Sequence, residues 1–198
     1  MIEVEKKFML SPEQQQRLLK GAEYLNQKTQ HDIYYDTPDY LLTMQDKWLR
    51  KRNDHWELKH PVRTCEPSGK KRTHYKEFET DEEIIQAMDL DPDSPLTDQL
   101  MAAGYVPIAE YTTIRKTYKR DPYTIVIDAT DFDYDIAEVE ILAQDPEDSI
   151  RKFQQLREFA EELGLSMERQ NGKLLEYLYR NNRQLYDDYL TAQEPHYN

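Results

Sequence analysis

The sequence is poor in cysteine and glycine and has no long apolar run. Cys65 is the only cysteine in 198 residues, which excludes a disulfide framework and fits a reducing compartment. The five glycines include no G-x-x-x-x-G-K-[ST] sequence, so a P-loop is excluded. No segment approaches the roughly 18 apolar residues of a spanning helix, and the opening MIEVEKKF lacks the apolar centre of a signal peptide. These absences predict a soluble, cytoplasmic protein with no membrane partner.

Charged residues are abundant and mostly acidic. They make up 33% of the chain and give it a net charge of −13. Such a chain repels nucleic acid, so any anion-binding site requires a local concentration of positive charge. A chain of this length is expected to form one domain with its own core. We predict that domain over residues 1–184, as a monomer, followed by a partly disordered tail over 185–198.

Hydrophobic periodicity predicts strands joined by hairpins, with helices inserted or terminal. The predicted strands cover 2–9, 31–38, two segments around an Asn53-Asp54 turn within 45–61, 73–80, 111–120, 123–132 and 136–142. Helices are predicted from Ser11 as N-cap, at both ends of 81–104, over 147–164 with Gly164 as C-cap, and from Lys173. Residues 62–72 are predicted to form a loop. This order indicates an α+β fold with an antiparallel sheet.

Charged side chains recur at every second position of several predicted strands, so they share a face. Two strands carry a pair of glutamates, Glu3 with Glu5 and Glu138 with Glu140, while Arg50 shares a face with Trp48 and Arg52. One interpretation is a solvated sheet face with cross-strand ion pairs. The other is a charged interior, which is costly unless the charges are paired or bind a ligand.

The residue types on these faces suit a complex of a metal ion with a polyphosphate. Carboxylates are hard oxygen ligands for Mg²⁺ or Mn²⁺, and arginine binds phosphate oxygens in a bidentate manner. The histidines show no metal-ligand spacing, so a zinc site is not expected. The candidate metal ligands are Glu3, Glu5, Asp128, Glu138 and Glu140, and the candidate phosphate-binding cations are Lys7, Arg50, Arg52, Lys59 and Arg115.

The charged residues occur in an order that resembles a known superfamily. E-V-E-K-K at 3–7 is an E-x-E-x-K motif, and it is followed by R-K-R at 50–52, E-L-K at 57–59, Y-K-E at 75–77, Arg115, Asp128, E-V-E at 138–140 and Lys173. This series resembles the CYTH superfamily of triphosphate tunnel metalloenzymes. The stretches IEVEKKF, YYDTP, MQDKWLRKR, WELKHP and TDFDY are most similar to the animal thiamine triphosphatases. The resemblance implies an eight-stranded antiparallel β-barrel, the triphosphate tunnel, with helices packed outside.

The resemblance also implies roles for individual residues. It places the divalent ion on Glu3, Glu5, Asp128, Glu138 and Glu140, with Asp131 and Asp133 as alternatives to Asp128. It makes Trp48 the residue that stacks on thiamine, and Glu77, beside Tyr75, a residue that orients the basic side. Triphosphate binding is assigned to Lys7, Arg50, Arg52, Lys59, Arg115 and Lys173.

The implied activity is Mg²⁺-dependent hydrolysis of the terminal phosphoanhydride of thiamine triphosphate, with Mn²⁺ as another possible ion. In this hypothesis Glu138 orients the attacking water, and Lys7 or Lys59 stabilises the departing diphosphate. The alternatives are an inorganic tripolyphosphatase, an adenylate cyclase and a non-catalytic polyphosphate-binding module. The residues alone leave open the number of metal ions and the preferred substrate.

Overall fold

Eight antiparallel strands form a single sheet in the computed structural model, which describes residues 1–65 and 71–197 and, within these, the side chains outside 64–74 and 195–197. The strands follow the order β1-β8-β7-β6-β2-β3-β4-β5. Their bounds are β1 Ile2–Phe8, β2 Glu23–Asp36, β3 Trp48–Arg52, β4 His55–Cys65, β5 Lys71–Phe78, β6 Val106–Arg120, β7 Tyr123–Thr130 and β8 Ile136–Ala143. The predicted α+β class and the eight antiparallel strands are confirmed.

Seven helices accompany the sheet in the described part of the chain. Their bounds are α1 Pro12–Leu19, α2 Leu41–Met44, α3 Asp81–Ala87, α4 Leu96–Ala102, α5 Pro146–Glu162, α6 Lys173–Asn181 and α7 Arg183–Tyr197. None of these helices combines the length and the apolar character that a membrane crossing requires. The predicted helix starts at Ser11 and near Lys173, and the division of 81–104 into two helices, are confirmed.

The chain divides into two compact units, each assembled from two stretches of sequence. The first unit comprises Met1–Gln30 and Thr112–Glu176, and the second comprises His31–Tyr111 and Tyr177–Asn198. The long strands β2 and β6 and the helix α6 run through both units. The expectation of a single domain over 1–184 stays a prediction.

The core of the first unit forms where α1 and α5 cover one face of its strands. Ser11 starts α1 with a capping box, because its hydroxyl accepts from Gln14 N and the Gln14 side chain accepts from Ser11 N. Gly164 follows α5 at φ +66°, a left-handed conformation that favours glycine. The buried apolar residues are Phe8, Leu18, Tyr123, Ile125, Ala137, Val139, Ile141, Leu156, Ala160 and Leu165. Burying them supplies the main stabilisation of this unit.

The core of the second unit lies between β3, β4 and the helices α3 and α4. Its buried apolar residues are Leu42, Leu49, Trp56, Leu58, Ile84, Leu96 and Leu100. The Asn53-Asp54 turn joins β3 to β4 with positive φ at both residues, as a two-residue hairpin requires. Asp36, fully buried, ends β2 and accepts from the amides of Thr37, Leu42 and Thr43, so it fixes the start of α2.

Two predicted segments differ in the structure. The loop expected over 62–72 is largely strand. Val62 to Cys65 of β4 pair with Lys71 to His74 of β5, and this pairing satisfies the backbone donors and acceptors. Residues 66–70 lie outside the described residues. The tail expected to be partly disordered over 185–198 forms most of α7. Its Leu185 and Tyr189 are buried, and the burial of apolar side chains stabilises the helix.

Candidate functional site

The charged face of the first unit is set by the register of its strands. Glu5 lies opposite Glu140 and Lys7 opposite Glu138 in the β1–β8 ladder, while Arg115 of β6 lies opposite Asp128 of β7. Residues directly opposite each other in an antiparallel pair project to the same face. The alternation predicted from sequence is therefore confirmed, and the opposite face carries the apolar core.

Glu138 and Asp128 are the carboxylates that organise the cations of this face. Glu138 contacts Lys7 Nζ at 3.3 Å and accepts from Arg115 Nη2 at 3.1 Å. Asp128, fully buried, accepts from Arg115 Nε and Nη2 at 2.8 and 2.7 Å, in a bidentate pair. Lys173, at the first position of α6, donates to Asp128 as well. These residues of the predicted site thus form one continuous network, which Lys7 extends to Glu5.

Three carboxylates come close enough together to hold a metal ion. One oxygen from each of Glu5, Glu138 and Glu140 lies within 4.8 Å of the others. Glu3 is not a member of this group, but its negative charge helps to raise the pKa of Glu140. Asp128 is occupied by Arg115 and Lys173, so its role as a metal ligand stays a prediction.

The two alternatives to Asp128 lie at the turn after β7. Asp131 accepts from the amide of Thr112 at 2.9 Å, and Asp133 has a positive φ of 58°. Both contribute to the turn conformation. Asp128 is the aspartate that enters the charged network.

The first unit's network carries an excess of negative charge. Its five carboxylates, Glu3, Glu5, Asp128, Glu138 and Glu140, outnumber its three cations, Lys7, Arg115 and Lys173. Burial and the repulsion from Glu3 and Glu138 raise the pKa of Glu140 to about 8. Burial also raises the pKa of Glu138, but Lys7 and Arg115 outweigh it and the net shift is downward. The donor set and its charge fit Mg²⁺ or Mn²⁺.

The charged face of the second unit has a different organisation. Tyr34 and Asp32 of β2 lie opposite Arg50 and Arg52 of β3, and Trp48 lies opposite Lys59 of β4. Asp32 holds the Arg52 guanidinium with two hydrogen bonds of 2.7 and 2.8 Å. The register therefore places two arginines, a lysine and a tryptophan on one face, as the alternation predicts.

Each predicted cation of this face has its own acidic partner. Glu57 accepts from Arg50 Nε at 2.7 Å, while Tyr34 Oη accepts from Arg50 Nη1 at 3.0 Å. Glu77 accepts from Lys59 Nζ at 2.8 Å. Glu77 thus contacts one basic residue, and its predicted role in orienting the basic side stays a prediction.

Asp32 and Tyr34 are residues of this face that the sequence predictions did not include. Asp32 is fully buried between Arg52 and Arg50, whose Nε lies 4.0 Å from it. The stretch HDIYYD places Asp32, Tyr34 and Asp36 at every second position. The alternation of side chains that identified the charged faces of the other strands would also have identified Asp32 and Tyr34 in this stretch.

Trp48 lies at the start of β3, next to an aromatic residue of the C-terminal helix. Its side chain is largely buried, with 9% of the residue exposed. The ring centroids of Trp48 and Tyr189 are 5.2 Å apart, and the two rings are inclined at 58°. This tilted contact lies in the range of favourable aromatic pairs.

Comparison with known proteins agrees with the order of the charged residues. A model of the CYTH domain matches residues 1–172. The chain belongs to the CYTH family. Thiamine-triphosphatase from Homo sapiens is 30% identical, in a match that covers 91% of this chain and 85% of that protein.

Solved structures show the same CYTH fold. A protein from Pyrococcus horikoshii OT3 matches with a TM-score of 0.63 and 21% identity, over 91% of this chain and 100% of the other. A protein from Hippeastrum, described as a putative adenylyl cyclase with a dominant triphosphatase activity, matches with a TM-score of 0.60 and 19% identity, over 92% and 97% of the two chains. At these identities the likeness supports the fold.

Proposed function

We propose that this CYTH protein is a metal-dependent triphosphatase that hydrolyses thiamine triphosphate to thiamine diphosphate and phosphate. The observation that supports this most directly is the network of the first unit, where three clustered carboxylates lie beside three cations. The 30% identity to thiamine-triphosphatase from Homo sapiens supports the choice of substrate. We further propose that the enzyme works in the cytoplasm as a monomer, without nucleic acid or a membrane as partner.

The proposed metal ligands are Glu5, Glu138 and Glu140, with Glu3 and Asp128 beside them. Bound there, Mg²⁺ would neutralise negative charge on the triphosphate oxygens; Mn²⁺ has the same preference for oxygen ligands. Glu3 contributes negative charge next to Glu140. Asp128 contributes by fixing Arg115 and Lys173.

In the proposed reaction, cations stabilise the charge that develops on the phosphoryl groups. Lys7, Arg115 and Lys173 bind phosphoryl oxygens, and Lys7 stabilises the diphosphate that leaves. Glu138 orients the attacking water, whose oxygen bonds to the terminal phosphorus. The bond from that phosphorus to its bridging oxygen breaks, and the electron pair remains on thiamine diphosphate.

The second unit supplies further proposed binding residues. Arg50, Arg52 and Lys59 are proposed to bind phosphate oxygens, with Lys59 as a second candidate for stabilising the leaving diphosphate. Their acidic partners hold the side chains in fixed positions, so less conformational entropy is lost on binding. Trp48 is proposed to stack on the cationic thiazolium or the aminopyrimidine ring of thiamine.

Inorganic tripolyphosphate is the second candidate substrate. The observation in its favour is the small exposed fraction of Trp48, 9%, which leaves little ring surface available in this conformation. Tripolyphosphate would require only the cations and the metal. A non-catalytic binding module is disfavoured, because binding phosphate does not require an excess of carboxylates.

The experiment that separates the two substrates is phosphate release with Mg²⁺ from thiamine triphosphate, tripolyphosphate and ATP, for the wild type and Trp48→Ala. We expect the wild type to prefer thiamine triphosphate, and Trp48→Ala to lose that preference while it retains tripolyphosphate hydrolysis. If tripolyphosphate is the better substrate for both proteins, the thiamine assignment is wrong and the protein is an inorganic triphosphatase. Rapid ATP conversion to cyclic AMP would instead support a cyclase.

A further inference from the structure

The C-terminal helix α7 belongs to the second unit but lies beyond the residues that the CYTH model matches. That match ends at residue 172, whereas α7 covers Arg183–Tyr197. Leu185, Tyr189 and Gln193 recur every four residues, and each is at most 2% exposed. This face of α7 packs against α2 and β5. The helix is therefore an integral part of the second unit.

Tyr189 connects this helix to Trp48 in two ways. Its ring lies against the indole of Trp48, with centroids 5.2 Å apart. Its hydroxyl donates to Asp46 Oδ1 at 2.9 Å. Asp46 is a buried residue two positions before Trp48 in the chain, so Tyr189 holds both the ring and the backbone that leads to it.

Asp46 is held in place from several sides. Its Oδ1 also accepts from Tyr75 Oη at 2.8 Å. Its Oδ2 lies 3.7 Å from Arg63 Nη2 and has no hydrogen bond within the described part of the chain. The residue has a positive φ of 62°, which a short polar side chain tolerates and larger ones rarely adopt. A buried carboxylate in this conformation depends on its two tyrosine donors.

Gln193, one turn further along α7, makes a second connection to the same segment. Its Nε2 donates to the carbonyl of Met44 at 3.2 Å, and its Oε1 accepts from Arg63 Nη2 at 3.0 Å. The segment from Met44 to Asp46 leads directly into β3. Gln193 of α7 thus contacts this segment at Met44, and Tyr189 contacts it at Asp46.

The phosphate-binding candidates next to Trp48 do not depend on α7 in this way. Arg50 is held by Glu57 and Tyr34, and Lys59 by Glu77, and these partners come from β2, β4 and β5. A change in α7 should therefore affect the indole of Trp48 more than the cations. Within the second unit, α7 contacts the aromatic ring of Trp48, whereas residues of β2, β4 and β5 hold the cations.

We propose that α7 sets the preference for thiamine triphosphate, with Tyr189 as the residue that positions Trp48 for the thiamine ring. This inference rests on the proposed function. Tyr189 is a positioning residue, since it acts on substrate through Trp48 and Asp46. Substrate choice is therefore expected to be sensitive to a helix outside the region that the family model matches.

The test compares Tyr189→Leu and Tyr189→Phe with the wild type on thiamine triphosphate and tripolyphosphate. Tyr189→Leu should lower kcat/KM for thiamine triphosphate by about tenfold, the upper end of what an aromatic pair contributes, mainly through KM. Its kcat/KM for tripolyphosphate should stay within about twofold of the wild type. Tyr189→Phe keeps the ring but removes the hydrogen bond to Asp46, so it should lose a measurable part of the preference, smaller than the loss in Tyr189→Leu.

Leu185→Val is the matched control, because it alters a buried residue of the same helix, one turn before Tyr189, and leaves the Trp48–Tyr189 ring pair intact. It should leave the ratio of the two kcat/KM values unchanged even where it lowers the thermal midpoint. In a Trp48→Ala background, Tyr189→Leu should have no further effect on that ratio. This double variant separates an effect through Trp48 from a general loss of stability.

Four results would overturn the inference: three exclude a positioning role for α7, and the fourth removes the thiamine assignment. If Trp48→Ala shifts the substrate ratio but Tyr189→Leu and Tyr189→Phe do not, α7 has no positioning role and the proposed function stands. An equal loss of kcat/KM on both substrates in the Tyr189 variants would likewise exclude a positioning role for α7. If Tyr189→Leu does not fold, a wild-type ratio of the two kcat/KM values in Tyr189→Phe would exclude it as well. If neither the wild type nor Trp48→Ala distinguishes the substrates, the thiamine assignment itself falls.

Discussion

The two charged sheet faces use the same residue types but balance them differently. In the first unit five carboxylates share three cations, and three of the carboxylates approach one another closely. In the second unit the three cations Arg50, Arg52 and Lys59 face an equal number of carboxylates, Glu57, Asp32 and Glu77, and Arg50 and Arg52 each also lie 4.0 Å from the other's partner. Carboxylates therefore outnumber cations on the first face, whereas the two are equal in number on the second.

Under the proposed function, the two faces would suit a highly charged substrate in different ways. Close carboxylates repel one another, and a bound divalent ion removes that repulsion. Paired cations are already oriented, so they lose less side-chain entropy when they bind phosphate. Both arrangements also include buried charges, Asp128 and Asp32, which are costly unless they are matched. Similar alternation along the strands therefore produces two distinct electrostatic environments.

The largest effect is expected from Glu138→Gln. This change weakens the proposed metal site and removes the charged acceptor of Lys7 and Arg115, so hydrolysis of thiamine triphosphate should fall by about 100-fold or more. The measurement is phosphate release across a range of Mg²⁺ concentrations. Glu161→Gln, on an exposed part of α5, is the control and should retain wild-type activity. Activity within tenfold of the wild type in Glu138→Gln would remove Glu138 from the catalytic network.

A stability comparison of one carboxylate from each face should give opposite results. Asp32→Asn leaves Arg52 without its charged partner and should lower the free energy of unfolding by about 3 kcal/mol. Glu140→Gln removes a carboxyl whose ionisation is opposed by burial and by its acidic neighbours, so it should leave the stability of the metal-free protein unchanged or increased. The measurement is urea unfolding in EDTA, with the exposed Asp54→Asn as control. Equal destabilisation by Asp32→Asn and Glu140→Gln would contradict the contrast between the faces.

Addition of Mg²⁺ to the metal-free protein should raise its thermal midpoint in a saturable way. Binding to the folded state stabilises it by about 2.7 kcal/mol at a metal concentration 100 times Kd. Glu5→Gln, which removes one charge from the carboxylate cluster, should weaken this response, whereas Glu77→Gln should leave it intact. If both variants show the same rise in thermal midpoint as the wild type, the ion binds outside the carboxylate cluster.

The smallest effect is expected for the Lys59–Glu77 pair. Burial raises the pKa of Glu77, but Lys59 outweighs it and the net shift is downward. A carboxyl with a lowered folded-state pKa stabilises the protein above its unfolded value of about 4.3, and this contribution is lost as pH falls through the folded pKa. Because the pair is substantially exposed, Glu77→Gln should cost less than about 1 kcal/mol at pH 7. The difference from the wild type should shrink in urea unfolding at pH 3 and in high salt; a constant difference would exclude an ionic origin.

The sequence predicted the faces of the strands better than the partners across them. Alternation alone placed Glu5, Lys7, Glu138 and Arg50 on charged faces, and the register confirms this. The pairing of Arg52 with Asp32 joins residues 20 positions apart, and it depends on how β2 aligns with β3. Local periodicity in HDIYYD places Asp32 on the charged face, but it contains no information on that alignment and could not identify Asp32 as the partner of Arg52.

The segments that the sequence predicted less well depend on tertiary contacts. The loop expected over 62–72 has the charged, polar composition of a loop, but the β4–β5 pairing extends through Cys65 and from Lys71. The polar C-terminal segment has only a few apolar residues, and α7 is stabilised by where those residues pack. Composition indicated low order in both segments, whereas their long-range contacts favour regular structure.

The most direct test of a metal-dependent triphosphatase is phosphate release from thiamine triphosphate by the wild-type protein, first in EDTA and then with Mg²⁺ restored. We predict negligible hydrolysis without metal, recovery with Mg²⁺, and a higher kcat/KM for thiamine triphosphate than for tripolyphosphate. Hydrolysis that is unaffected by EDTA, or no hydrolysis of either substrate with Mg²⁺ or Mn²⁺ present, would contradict the proposed function.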